Sequence, residues 1–133
     1  MKNNRKNNQN KENNHLKSLH LKKSNEKITD LRIADSFLSR FLGLMFKKDI
    51  DYPLLFKIPQ NINNRHRSSI HSCFMRFELK LVFIDKNNII YEISDLKPWR
   101  YYAPKKPAKY IIEFDKNGFS DYDLKIGDEV ELK

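Results

Sequence analysis

The sequence predicts a mainly β domain: a small barrel or sandwich of about six short strands, with one short helix near the N-terminus. The first observation is Ile70–Asp85 (IHSCFMRFELKLVFID), which alternates apolar and polar side chains over most of its length, as a half-buried strand or a pair of short ones does. The second is a series of short apolar runs separated by turn residues about every ten positions. The third is a length of 133 residues, enough for a single modest core.

The first half of the domain contains two further predicted strands and the helix. Ile28–Ala34 alternates and is predicted as the first strand, and Tyr52–Ile58 is a second apolar run. Between them, Asp35 or Ser36 is a suitable N-cap for a helix that ends near residues 46–48. Four apolar residues recur there at helical spacing: Phe37, Phe41, Leu44 and Met45.

The second half contains three more strands and one long connection. Asp85–Asn88 is typical of a hairpin turn and leads into a strand at Ile89–Ile93. Asp95–Lys109 carries three prolines and is predicted as an irregular loop that crosses an end of the sheet. The last two strands are predicted at Ala108–Phe114 and Glu129–Leu132, with turns between them.

The composition divides the chain into two parts. Residues 1–27 contain eight Lys/Arg, two Glu and eight Asn, so they carry +6 of the formal net charge of +9. Their few apolar residues cannot offset an ordering cost of about 1–2 kcal/mol per residue, which predicts a disordered basic tail. Residues 28–133 are predicted to form a single β-rich domain.

Cysteine content and hydropathy bear on the compartment. Cys73 is the only cysteine, which excludes an intrachain disulfide and fits a reducing cytoplasm, although it also fits a simple secreted domain. No apolar run of the length that a signal peptide or a membrane span needs follows the basic N-terminus. We therefore expect a cytoplasmic monomer that makes no membrane contact.

Several stretches, taken together and in order, resemble the family called domain of unknown function 192, in its archaeal branch. They are Ala34, Ser39–Met45, Ile70-His71, Phe74–Phe77, Val82–Asp85, Leu96–Arg100, Lys106–Glu113 and Ile126–Asp128. The resemblance implies a small β-rich fold and no assigned reaction. In one departure, Glu78, Leu79 and Lys80 stand where the family typically has Pro, an aliphatic residue and Asp. If that Asp serves a common chemistry, Lys80 reverses its charge here.

His71 and Cys73 are two residues apart, so on a strand they would share a face and could both reach a metal or act together as base and nucleophile. A structural zinc site needs four ligands, and an activated thiol needs a lowered pKa and an orienting acid such as Glu78. A half-buried histidine beside a small apolar cysteine is the commoner arrangement. We therefore assign no catalytic residue, metal ligand or cofactor.

Five residues inside or near the resembling motifs are candidates for binding a small anion or a peptide: Arg40, Arg76, Trp99, Arg100 and His71. Guanidinium groups bind carboxylate or phosphate in a bidentate way, and Trp supplies an apolar wall. In the alternative, Arg40 and Arg76 form internal ion pairs with Asp35, Glu78 or Glu113, and Trp99 covers the core.

The segment Lys97–Lys109 also interleaves aromatic and basic residues, a composition typical of surfaces that bind single-stranded nucleic acid. The alternative function is therefore an accessory protein that contacts nucleic acid, weakly and without sequence preference, through the tail and this loop. Several acidic residues follow the loop closely, so a solvated and partly charge-balanced surface is the commoner explanation of this composition. A hydrolytic or transferase activity is the third hypothesis, and no acid pair, Gly-rich phosphate loop or metal cluster in the sequence supports it.

Overall fold

A computed structural model describes residues 16–33, 53–58, 70–71 and 77–133. Within them the chain forms nine strands and one short helix, α1 (Lys116–Phe119). The strands are β1 (Leu16–Leu21), β2 (Lys27–Ile33), β3 (Leu54–Lys57), β4 (Ile70–His71), β5 (Leu79–Ile84), β6 (Ile90–Leu96), β7 (Tyr101–Tyr102), β8 (Tyr110–Asp115) and β9 (Val130–Leu132). The mainly β prediction is confirmed. The strand count exceeds about six because the sequence pattern does not reveal β1 or β7 and joins β4 to β5.

Seven strands form one sheet in the order β6-β5-β8-β3-β2-β1-β9, and β4 pairs with β7 in a separate antiparallel ribbon. All pairs in the large sheet are antiparallel except β2 with β3. The edge strands β6 and β9 approach each other where Ile89 and Glu129 make an isolated bridge. Since no continuous ladder joins these edges, the sheet is open and the predicted barrel or sandwich is not confirmed.

One face of the sheet encloses the larger apolar cluster, which we call the inner cluster. It takes buried side chains from all seven strands and from the segment before β9: Leu19, Leu31, Leu55, Val82, Ile84, Ile90, Ile112, Phe114, Leu124 and Val130. Phe119 and Tyr122 pack against it, their rings 5.1 and 5.3 Å from that of Phe114. Because every strand of the sheet contributes, burial of this cluster is what holds the strands together.

The other face carries a second cluster, the outer cluster, on β3, β5, β6 and β8 and on the segment just before β8. Its buried members are Leu54, Leu79, Leu81, Phe83, Leu96, Ala108 and Ile111. β5 supplies both faces, since Leu79, Leu81 and Phe83 alternate with Val82 and Ile84. This explains why β5 reads as a nearly continuous apolar run, as strands covered on both sides do.

The disorder predicted for residues 1–27 is wrong for Leu16–Leu21, which form β1. This strand lies between β2 and β9, and Leu19 is fully buried in the inner cluster. The composition argument averages over the whole segment and so misses a short LKSLHL strand that neighbouring strands stabilise on both sides. Residues 1–15 lie outside the described residues.

The helix predicted near the N-terminus falls at residues that the structure does not describe. The helix that is described, α1, follows β8 directly, and the carboxylate of Asp115 caps it by accepting a hydrogen bond from the amide of Asn117 (2.9 Å). No helix in the described ranges is both long enough and apolar enough to cross a bilayer.

Candidate binding loop

The segment Lys97–Lys109, which connects β6 to β8, is the candidate site and is called the basic loop below. It contains five Lys/Arg residues and no acid. The sequence predicts an irregular loop, but part of this segment is regular: its two-residue strand β7 pairs with β4. In this ribbon Tyr101 lies opposite His71, and Tyr102 opposite Ile70. The ribbon therefore places the backbone of His71 opposite the residue that follows Arg100.

Two large aromatic side chains of the basic loop are exposed. Trp99 is 56% exposed and Tyr101 is 60% exposed. Trp99 also has a φ of 61°, the left-handed region, which costs a residue with a Cβ on the order of 1–2 kcal/mol. Such a conformation persists only where surrounding contacts fix it, and it is found disproportionately at binding sites.

A buried carboxylate fixes the basic loop from below. Glu92, on β6, is only 4% exposed. Its Oε2 atom accepts hydrogen bonds from the Tyr102 hydroxyl (2.6 Å) and the Ser94 hydroxyl (3.2 Å), and its Oε1 atom accepts one from the amide of Lys105 (3.0 Å). Burial, reinforced by the bond to Glu92, raises the pKa of Tyr102, so the phenol keeps its proton and remains a donor.

A second set of contacts holds the loop where it returns to the sheet. The Tyr91 hydroxyl donates to the backbone oxygen of Lys106 (2.7 Å), while the Lys106 ammonium lies 4.6 Å from the centre of the Tyr91 ring. The same ammonium pairs with the Asp85 carboxylate (3.3 Å). Burial raises the pKa of Tyr91, and nearby carboxylates raise it further. Lys106 is thus engaged in holding the loop.

Lys109 is engaged in a similar way. Its amide donates to the backbone oxygen of Ile84 (2.8 Å), and its own backbone oxygen accepts from the amide of Ile58 (3.0 Å). Its ammonium lies 3.4 Å from the Asn88 side-chain oxygen and 5.2 Å from the Tyr110 ring centre. Lys97, Arg100, Lys105 and Lys106 are the exposed cations of the loop.

The structure describes three of the five predicted ligand residues. Trp99 and Arg100 are exposed side by side in the basic loop, and His71 occupies the paired strand β4. Arg40 and Arg76 lie outside the described residues. The contacts of Glu92 with Tyr102 and Lys105 are not foreseen, because the partners are 10 and 13 residues away and nothing in the local pattern links them.

The reversed charge at Lys80 has local partners. Its ammonium pairs with the Asp95 carboxylate at 2.7 Å and lies 5.5 Å from the Phe119 ring centre. The neighbouring Glu78 pairs with Lys116 at 2.8 Å. Both charged residues of the departure from the family pattern thus take part in ion pairs at the margin of the sheet.

In the described part of the chain, no group of three or more His, Cys, Asp and Glu side chains is arranged to hold a metal ion. Cys73, the other half of the hypothetical pair with His71, lies outside that part.

Comparison with known proteins identifies the class. The chain belongs to a family without an assigned activity. This is the DUF192 family, described as Uncharacterized ACR, COG1430, whose model matches residues 19–132. The chain is 40% identical to a UPF0127 protein of Pyrococcus furiosus over 102 residues, which cover 77% of this chain and 85% of the relative. It is 41% identical to a UPF0127 protein of Pyrococcus horikoshii over 102 residues, with 77% and 86% covered. The resemblance to the family and to its archaeal members is confirmed.

Two crystal structures share the fold. A Sinorhizobium meliloti protein described provisionally as a transcription regulator has a TM-score of 0.68 and 18% identity, with 88% of this chain and 92% of that chain covered. A Novosphingobium aromaticivorans protein of unknown function has a TM-score of 0.66 and 15% identity, with 87% and 83% covered. At these identities the likeness concerns the fold alone.

Proposed function

We propose that this protein is a non-enzymatic binding module and that its basic loop binds a small anionic ligand or an acidic peptide. One observation carries the proposal: a loop with five cations and no acid exposes Trp99 and Tyr101 while polar contacts tie its base to the sheet. Exposed cations attract an anion, and a flat apolar surface beside them suits a ligand that has a planar part.

Arg100 has the central role in this proposal. Its guanidinium can form two parallel hydrogen bonds with one carboxylate or phosphate, which Lys97 and Lys105 cannot do. Trp99 supplies the apolar wall. Arg40, Arg76 and His71 remain proposed members of the same site, each to be tested by substitution.

The test is thermal denaturation with citrate, inorganic phosphate and adenosine monophosphate as probes. A ligand at 100 times its Kd stabilises the native state by about 2.7 kcal/mol, which raises the Tm by several degrees. Arg100→Ala should abolish the shift. Lys125→Ala is the matched control, because Lys125 is a 76% exposed cation outside the loop and its removal should leave the shift unchanged. No shift with any probe, or equal losses in both variants, would contradict the proposal.

The second candidate function is contact with single-stranded nucleic acid through the basic loop and the basic N-terminal segment. The observation that favours it is the simultaneous exposure of Trp99 and Tyr101 among cations, since each ring can stack on a base. Fluorescence anisotropy with single-stranded RNA and DNA at two salt concentrations tests it. Here Trp99→Ala and Tyr101→Ala should each weaken binding by about 1–3 kcal/mol. Binding that ignores both substitutions but falls steeply with salt would indicate non-specific charge contact alone.

A further inference from the structure

Glu92 occupies an unusual place for an acid. It lies on the edge strand β6, almost fully buried, beneath a loop made entirely of neutral and cationic residues. A carboxylate loses its hydration when it is buried, and the loss must be offset by hydrogen bonds. Glu92 has three donors at 3.2 Å or less, and two of them, the Tyr102 hydroxyl and the Lys105 amide, belong to the basic loop.

These bonds hold two nearby points of the loop. Tyr102 precedes Ala103-Pro104 and Lys105 follows it, so one side chain fixes the loop on both sides of this dipeptide. Tyr102 is also the direct neighbour of the exposed Tyr101. A carboxylate suits this task because it offers two acceptor oxygens and no donor, whereas a carboxamide offers one acceptor oxygen.

We propose that Glu92 is the positioning residue of the binding loop and holds Trp99, Arg100 and Tyr101 in their exposed arrangement before a ligand arrives. The effect of this role on ligand binding rests on the proposed function. The buried carboxylate does not itself touch the ligand. A loop already held in its binding conformation loses less conformational freedom on binding, so the affinity is higher than for a loop that must first be ordered.

The first measurement needs no ligand. Trp99 is the single tryptophan of the chain, so its fluorescence and its quenching by acrylamide report on the loop alone, and amide hydrogen exchange at Lys105 reports on the bond to Glu92. In Glu92→Ala we expect exchange at Lys105 to accelerate about tenfold, as for a lost hydrogen bond to a charged group, with stronger quenching of Trp99. Tyr102→Phe removes one bond with little change of shape and should give a smaller effect, and Glu92→Gln should restore part of the native behaviour.

Leu55→Ala separates positioning from general destabilisation. Leu55 is fully buried in the inner cluster, on the other face of the sheet, so its truncation lowers the stability of the domain without touching the loop. Loop exchange and quenching should stay close to native in Leu55→Ala at a temperature where both variants are folded. Equal opening of the loop in Leu55→Ala and Glu92→Ala would overturn the proposal, as would unchanged exchange at Lys105 in Glu92→Ala.

The second measurement is the affinity for phosphate, citrate and adenosine monophosphate by titration calorimetry. We expect Glu92→Ala to weaken binding of whichever probe the native protein binds by about tenfold. An open loop with native affinity would overturn the role in binding. No binding of any probe by the native protein would instead overturn the proposed function, and with it the consequence for binding, while the exchange measurement still decides whether Glu92 holds the loop.

Discussion

The inner cluster and the basic loop are stabilised by different kinds of contact. The inner cluster consists of aliphatic and aromatic side chains from seven strands, and its contacts are non-directional and shared among many residues. The basic loop lies over the opposite face, where a few directional bonds to Glu92, Tyr91 and Asp85 fix it. Losing one apolar contact therefore destabilises the whole domain, whereas losing one of these bonds mainly changes the structure of the loop.

Phe83 links the sheet to the basic loop through the outer cluster. Its ring is fully buried in the outer cluster, 5.8 Å from the Tyr102 ring and 6.2 Å from the Tyr91 ring. Both of those tyrosines hold the basic loop through their hydroxyl groups. The Phe83 ring therefore supports the two tyrosines that hold the loop. Substitutions on the two faces of β5 should affect the loop differently.

The largest effect is expected from removing β1. Deletion of residues 1–27 removes Leu19 from the inner cluster and leaves β2 and β9 without the strand between them. We expect the product either not to fold or to melt more than about 10 °C lower, since several kcal/mol of burial and pairing are lost. Deletion of residues 1–15 is the matched control and should leave the Tm within about 2 °C. Calorimetry compares the two. Equal melting temperatures for both deletions would mean that β1 contributes nothing to the sheet.

The next largest loss of stability is expected from truncating a buried side chain on either face of the sheet, at Phe83 on β5 or at Leu55 on β3. Phe83→Ala should cost about 3–5 kcal/mol and Leu55→Ala about 2–5 kcal/mol, because each removes a fully buried side chain and leaves a cavity. Only Phe83→Ala should also increase the quenching of Trp99, because of these two side chains only Phe83 packs against Tyr91 and Tyr102, which hold the loop. Urea denaturation gives the free energies, and fluorescence gives the loop response. A loop response in both variants would contradict the separation of the two faces.

The sequence predicts the β class, most strand positions and the hairpin at Asp85–Asn88, because alternation and turn residues are local signals. The hairpin forms between β5 and β6, with Asn88 at a φ of 63°. β1 escapes prediction because its surroundings are basic and polar, and its stability comes from partners far along the chain. Leu19 lies opposite Thr29 on one side and Leu132 on the other.

The same distinction holds for the candidate site. Trp99 and Arg100 can be selected from the sequence as amphipathic residues in a long basic connection. Glu92 cannot, because it occupies a strand of alternating residues like an ordinary exposed acid, and only the folded loop brings its donors to it. Phe83 and Ile112 are both fully buried on the neighbouring strands β5 and β8, but on opposite faces of the sheet, because Phe83 pairs with Ile111 and Val82 with Ile112.

A smaller effect is expected at the reversed charge. Lys80 and Asp95 are directly opposite each other on β5 and β6, with their charged atoms 2.7 Å apart, but the Asp95 side chain is 47% exposed. Lys80→Ala should therefore cost less than about 1 kcal/mol, and Lys80→Asp about 1 kcal/mol or slightly more, because like charges then face each other. The double variant Lys80→Asp/Asp95→Lys should recover most of the loss. Urea denaturation checks all three, and a double variant no better than Lys80→Asp would show that the pair does not matter.

The smallest effect is a pH dependence at the base of the loop. Burial alone would raise the pKa of Asp85. Hydrogen bonds from the backbone amides of Ile89 (3.1 Å) and Asn87 (2.8 Å), together with the Lys106 ammonium, outweigh burial and lower the pKa below its usual value. The ionised carboxylate therefore stabilises the folded state above the unfolded-chain pKa of about 3.9, and this contribution disappears as the pH falls through the lower folded value. The difference in unfolding free energy between the native protein and Asp85→Asn should be largest at neutral pH and shrink, by less than about 1 kcal/mol, between about pH 4 and pH 2. Urea denaturation at neutral and acidic pH measures it, and a difference that grows on acidification would show that the carboxylate of Asp85 favours its protonated form in the folded protein.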